Sequence, residues 1–417
     1  MHEDRYGLAL TTASHEAASA YRQAADGLLA AAAGVDVALR TALAADPRFA
    51  LAHAAQARWL AARGRSAEAR ASIDAAVALS PAVTSRERGQ IEVFRRMLAG
   101  DAPGALVAAR EHLAGFPRDA LVASACTGVF GLIGFSGHCD REAQHLALLD
   151  GLAPHYGDDG WFLAAHAFAM VETGDWPRGR PVAQRALQLN PASANAAHVW
   201  AHVLYEAGEL PAARAFLVGW LAGDAPDAPL HGHLWWHVAL SELAAGRYEE
   251  AAGRLAMQLS PALAQGLPIN TFTDAVSLLW RLRLAGRHDD ASAWREALEF
   301  GRRHFPKPGV FVDVHLAIAA AAAGDETGFQ ALLGSLERAD EAGALVAGPV
   351  VPALARATHA AVSGDWPAAA ALLERWMHEI VRIGGSRAQR DLFVRTIERA
   401  RELRHTASAR GSDNIPG

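Results

Sequence analysis

A glycine that recurs at nearly even spacing constrains this chain more than any other feature: Gly64, Gly100, Gly137, Gly174, Gly208, Gly246, Gly286, Gly324 and Gly364, successively 36, 37, 37, 34, 38, 40, 38 and 40 residues apart. Each follows an amphipathic run of helical period and precedes a short polar turn and a second, Ala-rich run. A helix commonly stops at a residue in the left-handed conformation, which glycine reaches without a Cβ clash. Helical-hairpin repeats recur about every 34 residues, so the spacing predicts a string of two-helix units with small insertions.

Two further marks fall in step with the glycine. Five residues beyond it stands a small residue that lets two helices approach, at Ala69, Ala105, Ala213, Ala251, Ala291 and Ala369. Seventeen residues beyond it comes proline, at Pro81, Pro117, Pro154 and Pro191, expected to end the second helix. Later units depart: proline is displaced or lost after Gly208, Phe329 replaces the small residue, and the linkers near 222–232, 258–272, 303–310 and 340–352 are longer. The expected organisation is a helical cap over 1–47, a repeat array over 48–404 and a frayed polar tail over 405–417. Strands should be absent or trivial, because β-branched runs bounded by hairpin-turn dipeptides are missing.

Composition narrows the function classes. The 417 residues are 51% hydrophobic, enough to bury a continuous interior, and the net charge of −6 argues against a polyanion-binding surface, so no nucleic acid is expected. The two cysteines, Cys126 and Cys139, make neither a disulfide framework nor a Cys-based zinc motif, which fits a reducing cytoplasm. The N-terminus Met1-His2-Glu3-Asp4-Arg5 lacks the basic and apolar regions of a secretory signal, and no charge-free stretch is long enough to span a bilayer. A soluble cytoplasmic protein with no membrane partner is expected.

The segments 172–179, Glu172-Thr173-Gly174-Asp175-Trp176-Pro177-Arg178-Gly179, and 244–252, with Gly246-Arg247-Tyr248-Glu249, resemble the turn and second-helix start of tetratricopeptide repeats. A closer likeness runs through Thr273-Asp274-Ala275-Val276 and on to Gly286, Ile383-Gly384-Gly385-Ser386 and on to Phe393, the stretches 197–202 and 233–237, and the N-terminal 7–18. In these the chain resembles the tetratricopeptide-repeat protein 38 family over nearly its full length. That resemblance implies an all-α, tetratricopeptide-like solenoid, curved or nearly closed into a superhelix, and it brings no catalytic residues with it. Resemblance to tetratricopeptide repeats further implies that residues thirteen, ten and six before each glycine face the concave groove. His198 and His202 stand ten and six before Gly208, and His233 and Trp236 thirteen and ten before Gly246.

Spacing supports a site independently. His198 with His202, and His233 with His237, are i, i+4 pairs that project from one helix face, on helices of consecutive units. Two such pairs can offer imidazoles to a divalent transition metal such as zinc, with Asp274 from the next unit as ligand or orienter and with Asp313 and His315 closing the site. The pattern lacks the glutamate of a metalloprotease motif, and a metal-free polar pocket or purely structural histidines are the alternatives. Trp200, Trp235 and Trp280 read as packing core, with Trp236 facing a ligand. The Gly384–Asp391 stretch reads either as an anion-binding turn with Arg387 and Arg390 as clamps or as a helix cap. Serine-nucleophile and dinucleotide-loop signatures are missing. Two functions remain: a small-molecule site in the groove, which in an enzyme would be that of a metal-assisted hydrolase or lyase, or a non-catalytic scaffold whose groove holds a peptide.

Overall fold

In the computed structural model, which describes residues 2–306 and 309–412 (main chain only from 404), the chain is all α. Among the described residues the only strands are His2–Glu3 and Ala9–Leu10, an antiparallel pair with His2 opposite Leu10.

The repeat glycines close helices by one recurring device. At Gly208 φ is +73°, and the N–H of the next residue, Glu209, returns to the Leu204 carbonyl at 2.8 Å. The same reach back over five residues links Arg65 to Leu60, Asp101 to Arg96, Asp175 to Met170, Arg247 to Glu242, Arg287 to Leu282, Asp325 to Ala320 and Asp365 to Ala360. This satisfies carbonyls that a helix end would otherwise leave open. At four turns the residue after the glycine also starts the second helix: Asp101, Asp175, Asp325 and Asp365 accept the N–H of Gly104, Arg178, Gly328 and Ala368. A Gly-Asp pair thus ends one helix and caps the next within two residues, which forces a tight hairpin.

Gly137 departs from this pattern. The helix before it, Ala120–Cys126, stops after seven residues, and the chain passes through a Gly-rich stretch of turns instead of completing the helix. Gly137 has φ +75°, and a Cβ there would lie 2.3 Å from the Val346 carbonyl oxygen. Close backbone approach, not helix closure, requires glycine at this position.

Ala69, Ala105, Ala213, Ala251 and Ala369, each the fourth residue of its helix, are buried as expected, but Ala291 is exposed. The turn after Gly286 runs on to the N-cap Asp290, which moves the helix Ala291–His304 three residues along, and its fourth residue is the fully buried Trp294. Pro154 lies inside the helix Arg141–Tyr156 rather than at its end. The helix Arg387–Ser412 enters the stretch expected as a frayed tail, of which 413–417 lie outside the described residues.

The chain divides into two compact units. The first comprises Met1–Ser136, Glu142–Leu234 and Gln265–Pro268. Its helices pair consecutively: His15–Ala30 with Val35–Ala45, Ala50–Ala62 with Ser66–Leu79, Ser85–Leu98 with Ala102–Gly115, Gly160–Glu172 with Trp176–Leu189, and Ala194–Glu206 with Leu210–Leu221. The helices of 1–47 share a core with those that follow, through Tyr21, Phe49, Phe94 and Phe162. The second unit comprises Gly137–Arg141, Trp235–Ala264 and Ile269–Gly417. It pairs Val310–Ala322 with Glu326–Glu341 and Val350–Val362 with Trp366–Trp376, and it buries Trp280, whose Nε1 donates to Thr396 Oγ1 at 2.9 Å. Among the described residues no helix is long and apolar enough to cross a membrane.

Candidate metal centre

Two helices carry the histidines. Ala194–Glu206 begins at Ser193, whose hydroxyl accepts the Ala196 N–H at 3.2 Å, and it presents His198 and His202 one turn apart. His231–Ala244 presents His233 and, one turn on, His237. The pairs are not in the same repeat register. His198 and His202 stand ten and six before their closing glycine, while His233 and His237 stand thirteen and nine before theirs. A three-residue stagger is almost one turn, so it keeps the helix face and slides the second pair by roughly 4.5 Å.

The result is convergence. His198 Nε2 lies 3.0 Å from His202 Nε2 and 3.0 Å from His233 Nε2, all three within the first unit. His237, carried by the same helix as His233, completes a group whose ligand atoms lie within 4.8 Å of one another. His202, His233 and His237 are buried and His198 is partly so. The Phe168 ring packs against His198 and His202 with centroids 5.7 and 5.1 Å away.

Burial, and then the neighbouring imidazoles, hold His198 well below its ordinary pKa, and the same effects push His202 down to about 3. Both are therefore neutral at pH 7. A neutral ring nitrogen carries one proton or one lone pair, so a central Nε2 with two like neighbours at 3.0 Å can satisfy at most one of them well as a donor. With all three deprotonated at Nε2, three lone pairs meet at one place, and a cation there resolves the crowding. Tetrahedral zinc, with bonds of about 2.0–2.1 Å, sets its nitrogens roughly 3.3 Å apart. The donor set fits a borderline-soft divalent ion.

One residue of this site escaped the sequence reading. Glu172, buried at the end of the helix Gly160–Glu172, places Oε1 3.7 Å from His202 Nδ1. That is too long for a direct hydrogen bond, but a carboxylate there favours the proton on Nδ1 and leaves the Nε2 lone pair for a ligand. A signal was available: a carboxylate at the C-terminal end of an otherwise apolar helix opposes the helix dipole.

The remaining candidates lie in the second unit. Asp274 is buried on Pro268–Leu284. Trp236 is fully buried, with the Arg281 guanidinium 5.6 Å from its ring centroid. Arg281, also missed in the sequence, donates to the Ala388 carbonyl at 2.8 Å and to Ser277 Oγ. Burial raises the Asp313 carboxyl to about 6. His315, whose Nδ1 meets the Phe311 carbonyl at 2.8 Å, is lowered to about 4, chiefly by burial and further by Arg281.

The Gly384–Asp391 turn carries the hydrogen bonds of a helix cap. Ser386 Oγ accepts the Gln389 N–H at 3.2 Å and Gln389 Oε1 accepts the Ser386 N–H at 2.9 Å, a reciprocal cap, while Arg390 donates to the Gly385 carbonyl.

Fold and site together define an all-α, repeat-like chain with a buried histidine cluster able to hold a metal ion. No family model matches it.

Proposed function

We propose that this is a tetratricopeptide-type protein of the tetratricopeptide-repeat protein 38 kind, a curved helical array with a transition-metal centre at His198, His202, His233 and His237 that serves a small-molecule site. The observation that carries the reading is the meeting of the Nε2 atoms of His202 and His233 with that of His198, each at 3.0 Å. The recurring helix closure supports the repeat assignment. A divalent ion bound there supplies a Lewis acid that polarises a carbonyl or activates water, chemistry suited to a hydrolase or a lyase.

The chain's own residues have distinct parts. His198, between the two others, is the indispensable ligand. Glu172 fixes the His202 tautomer. His237 is the fourth ligand or yields its place to substrate, since four protein ligands make a closed structural site and three leave a position for chemistry.

Cobalt(II) titration of untagged, metal-stripped protein tests this. The intense visible absorption of tetrahedral cobalt is expected in the wild type and absent in His198→Ala. Weak octahedral absorption in the wild type, or equal spectra in both proteins, rules out the centre.

A further inference from the structure

We infer that a recess in the first unit, between the N-terminal turn and the helices His15–Ala30 and Ser85–Leu98, binds the zwitterionic head group of a small α-amino acid. Its walls include Asp4 from the turn, Tyr21, Arg22 and Asp26 from His15–Ala30, Gln90 from Ser85–Leu98, and Asp119, which caps Ala120–Cys126. The recess is partly open to solvent and leaves water-sized centres about 20 Å³, room for a head group of a few non-hydrogen atoms. The histidine cluster stands on other helices.

Most charges at these walls are matched. Asp26 pairs with Arg5 at 3.3 Å, Arg5 also reaches Asp159 at 2.8 Å, and Asp119 holds Arg86 at 3.3 Å. Asp4 and Arg22 are the exceptions: among the described residues neither forms an ion pair, with the other or with any third side chain. Asp4 Oδ1 accepts the N–H groups of Tyr6 and Leu8 at 2.9 and 3.0 Å, which leaves Oδ2 without a donor. Burial, outweighing those two bonds and the more distant Arg86, raises the carboxyl above its ordinary 3.8. Arg22 Nε donates to the Glu3 carbonyl at 2.6 Å, which leaves both Nη groups. Gln90, 0% exposed, is the third unmet group. Its Oε1 accepts from Arg86 Nη1 at 3.0 Å, which fixes the amide's orientation, and its Nε2 has no acceptor. The Tyr21 hydroxyl lies near that amide, outside hydrogen-bond geometry with Nε2. The recess therefore lacks a cation for Asp4 and anionic oxygens for Arg22 and Gln90. An α-amino acid carries its ammonium and its carboxylate two bonds apart and supplies both, whereas an amine or a carboxylic acid alone meets one side and leaves the other charge unpaired. Water satisfies the hydrogen bonds but neither charge.

The test is calorimetric titration of chelator-treated protein with glycine, alanine, methylamine and acetate, the chelator removing any metal that would itself hold an amino acid. Glycine and alanine are expected to bind the wild type, and His198→Ala equally well, which separates this site from the metal centre. Methylamine and acetate should each bind about tenfold more weakly or worse, a comparison that needs no variant. Asp4→Asn still accepts the Tyr6 and Leu8 N–H groups but loses the charge, and Arg22→Gln loses the partner of the carboxylate; glycine affinity should fall about tenfold or more in each. Absence of glycine binding would leave the recess to water and overturn the assignment. Equal binding of methylamine or acetate, or unchanged glycine affinity in the folded variants, would overturn it too.

Discussion

Protons and metal ions compete for the same lone pairs at His198 and His202, and burial has biased both rings against the proton. His202 falls from an ordinary 6.5 to about 3, so below pH 6.5 the unfolded chain takes up a proton that the folded chain refuses. Stability from this group is complete above 6.5 and drains away as pH falls toward 3. Thermal melts of metal-stripped protein should therefore drop steadily from pH 7 to pH 5, and His202→Leu should flatten that slope; a flat wild-type profile would contradict the neutral, buried imidazole. Asp313 acts with the opposite sign. Its carboxyl rises from an ordinary 3.8 to about 6, so its contribution is complete below 3.8 and is lost as pH climbs through 6. Asp313→Asn should consequently gain stability relative to wild type above pH 6, measured by the same melts, and no gain at pH 8 would count against a buried, unpaired carboxylate. Glu172→Gln keeps the shape and removes the charge behind His202, for which metal affinity should fall about 10–100-fold. Competition with a chromogenic chelator reads that loss, and unchanged affinity would remove Glu172 from the site.

Hairpin closure is the step at which single residues decide an element. Asp175→Ala removes the cap that accepts the Arg178 N–H and should cost about 1 kcal/mol in urea denaturation. Gly137→Ala should cost more, because it joins a left-handed backbone to a Cβ 2.3 Å from the Val346 carbonyl oxygen. Equal costs would show that Gly137 is only another turn glycine. The left-handed helix stop was legible in the sequence, since it is a local demand met by a local residue type, while the Asp cap beside it emerged from the structure. The exceptions are where the demand is not local. Ala291 looked like the small packing residue, but the longer turn to Asp290 shifts the helix and gives the place to Trp294. Gly137 kept the period while the helix before it had been replaced by turns. Glu172 was conspicuous only as a carboxylate at a helix C-terminus, and a lone carboxylate in a sequence does not reveal the histidine it will face.

At the scale of the whole chain, repeat structure is what turns sequence spacing into a site. His198 and His233 are 35 residues apart on consecutive hairpins, three fewer than the 38 between their closing glycines, and they lie side by side at 3.0 Å. The i, i+4 pairs were readable from the sequence, and their meeting followed from the repeat. The division into two units was not readable, because the glycine period runs through it without a break and the cut falls inside the helix His231–Ala244. Binding at such a cluster draws on the folded chain as a whole, and an ion at about a thousand times its dissociation constant stabilises by roughly 4 kcal/mol. The most direct measurement is elemental analysis of the full chain purified without a polyhistidine tag. One equivalent of a transition metal per chain, lost in His198→Ala with the helical content intact, is the expected result. Substoichiometric metal in the wild type after zinc-supplemented expression, or metal retained at one equivalent in the variant, would contradict a histidine-held centre.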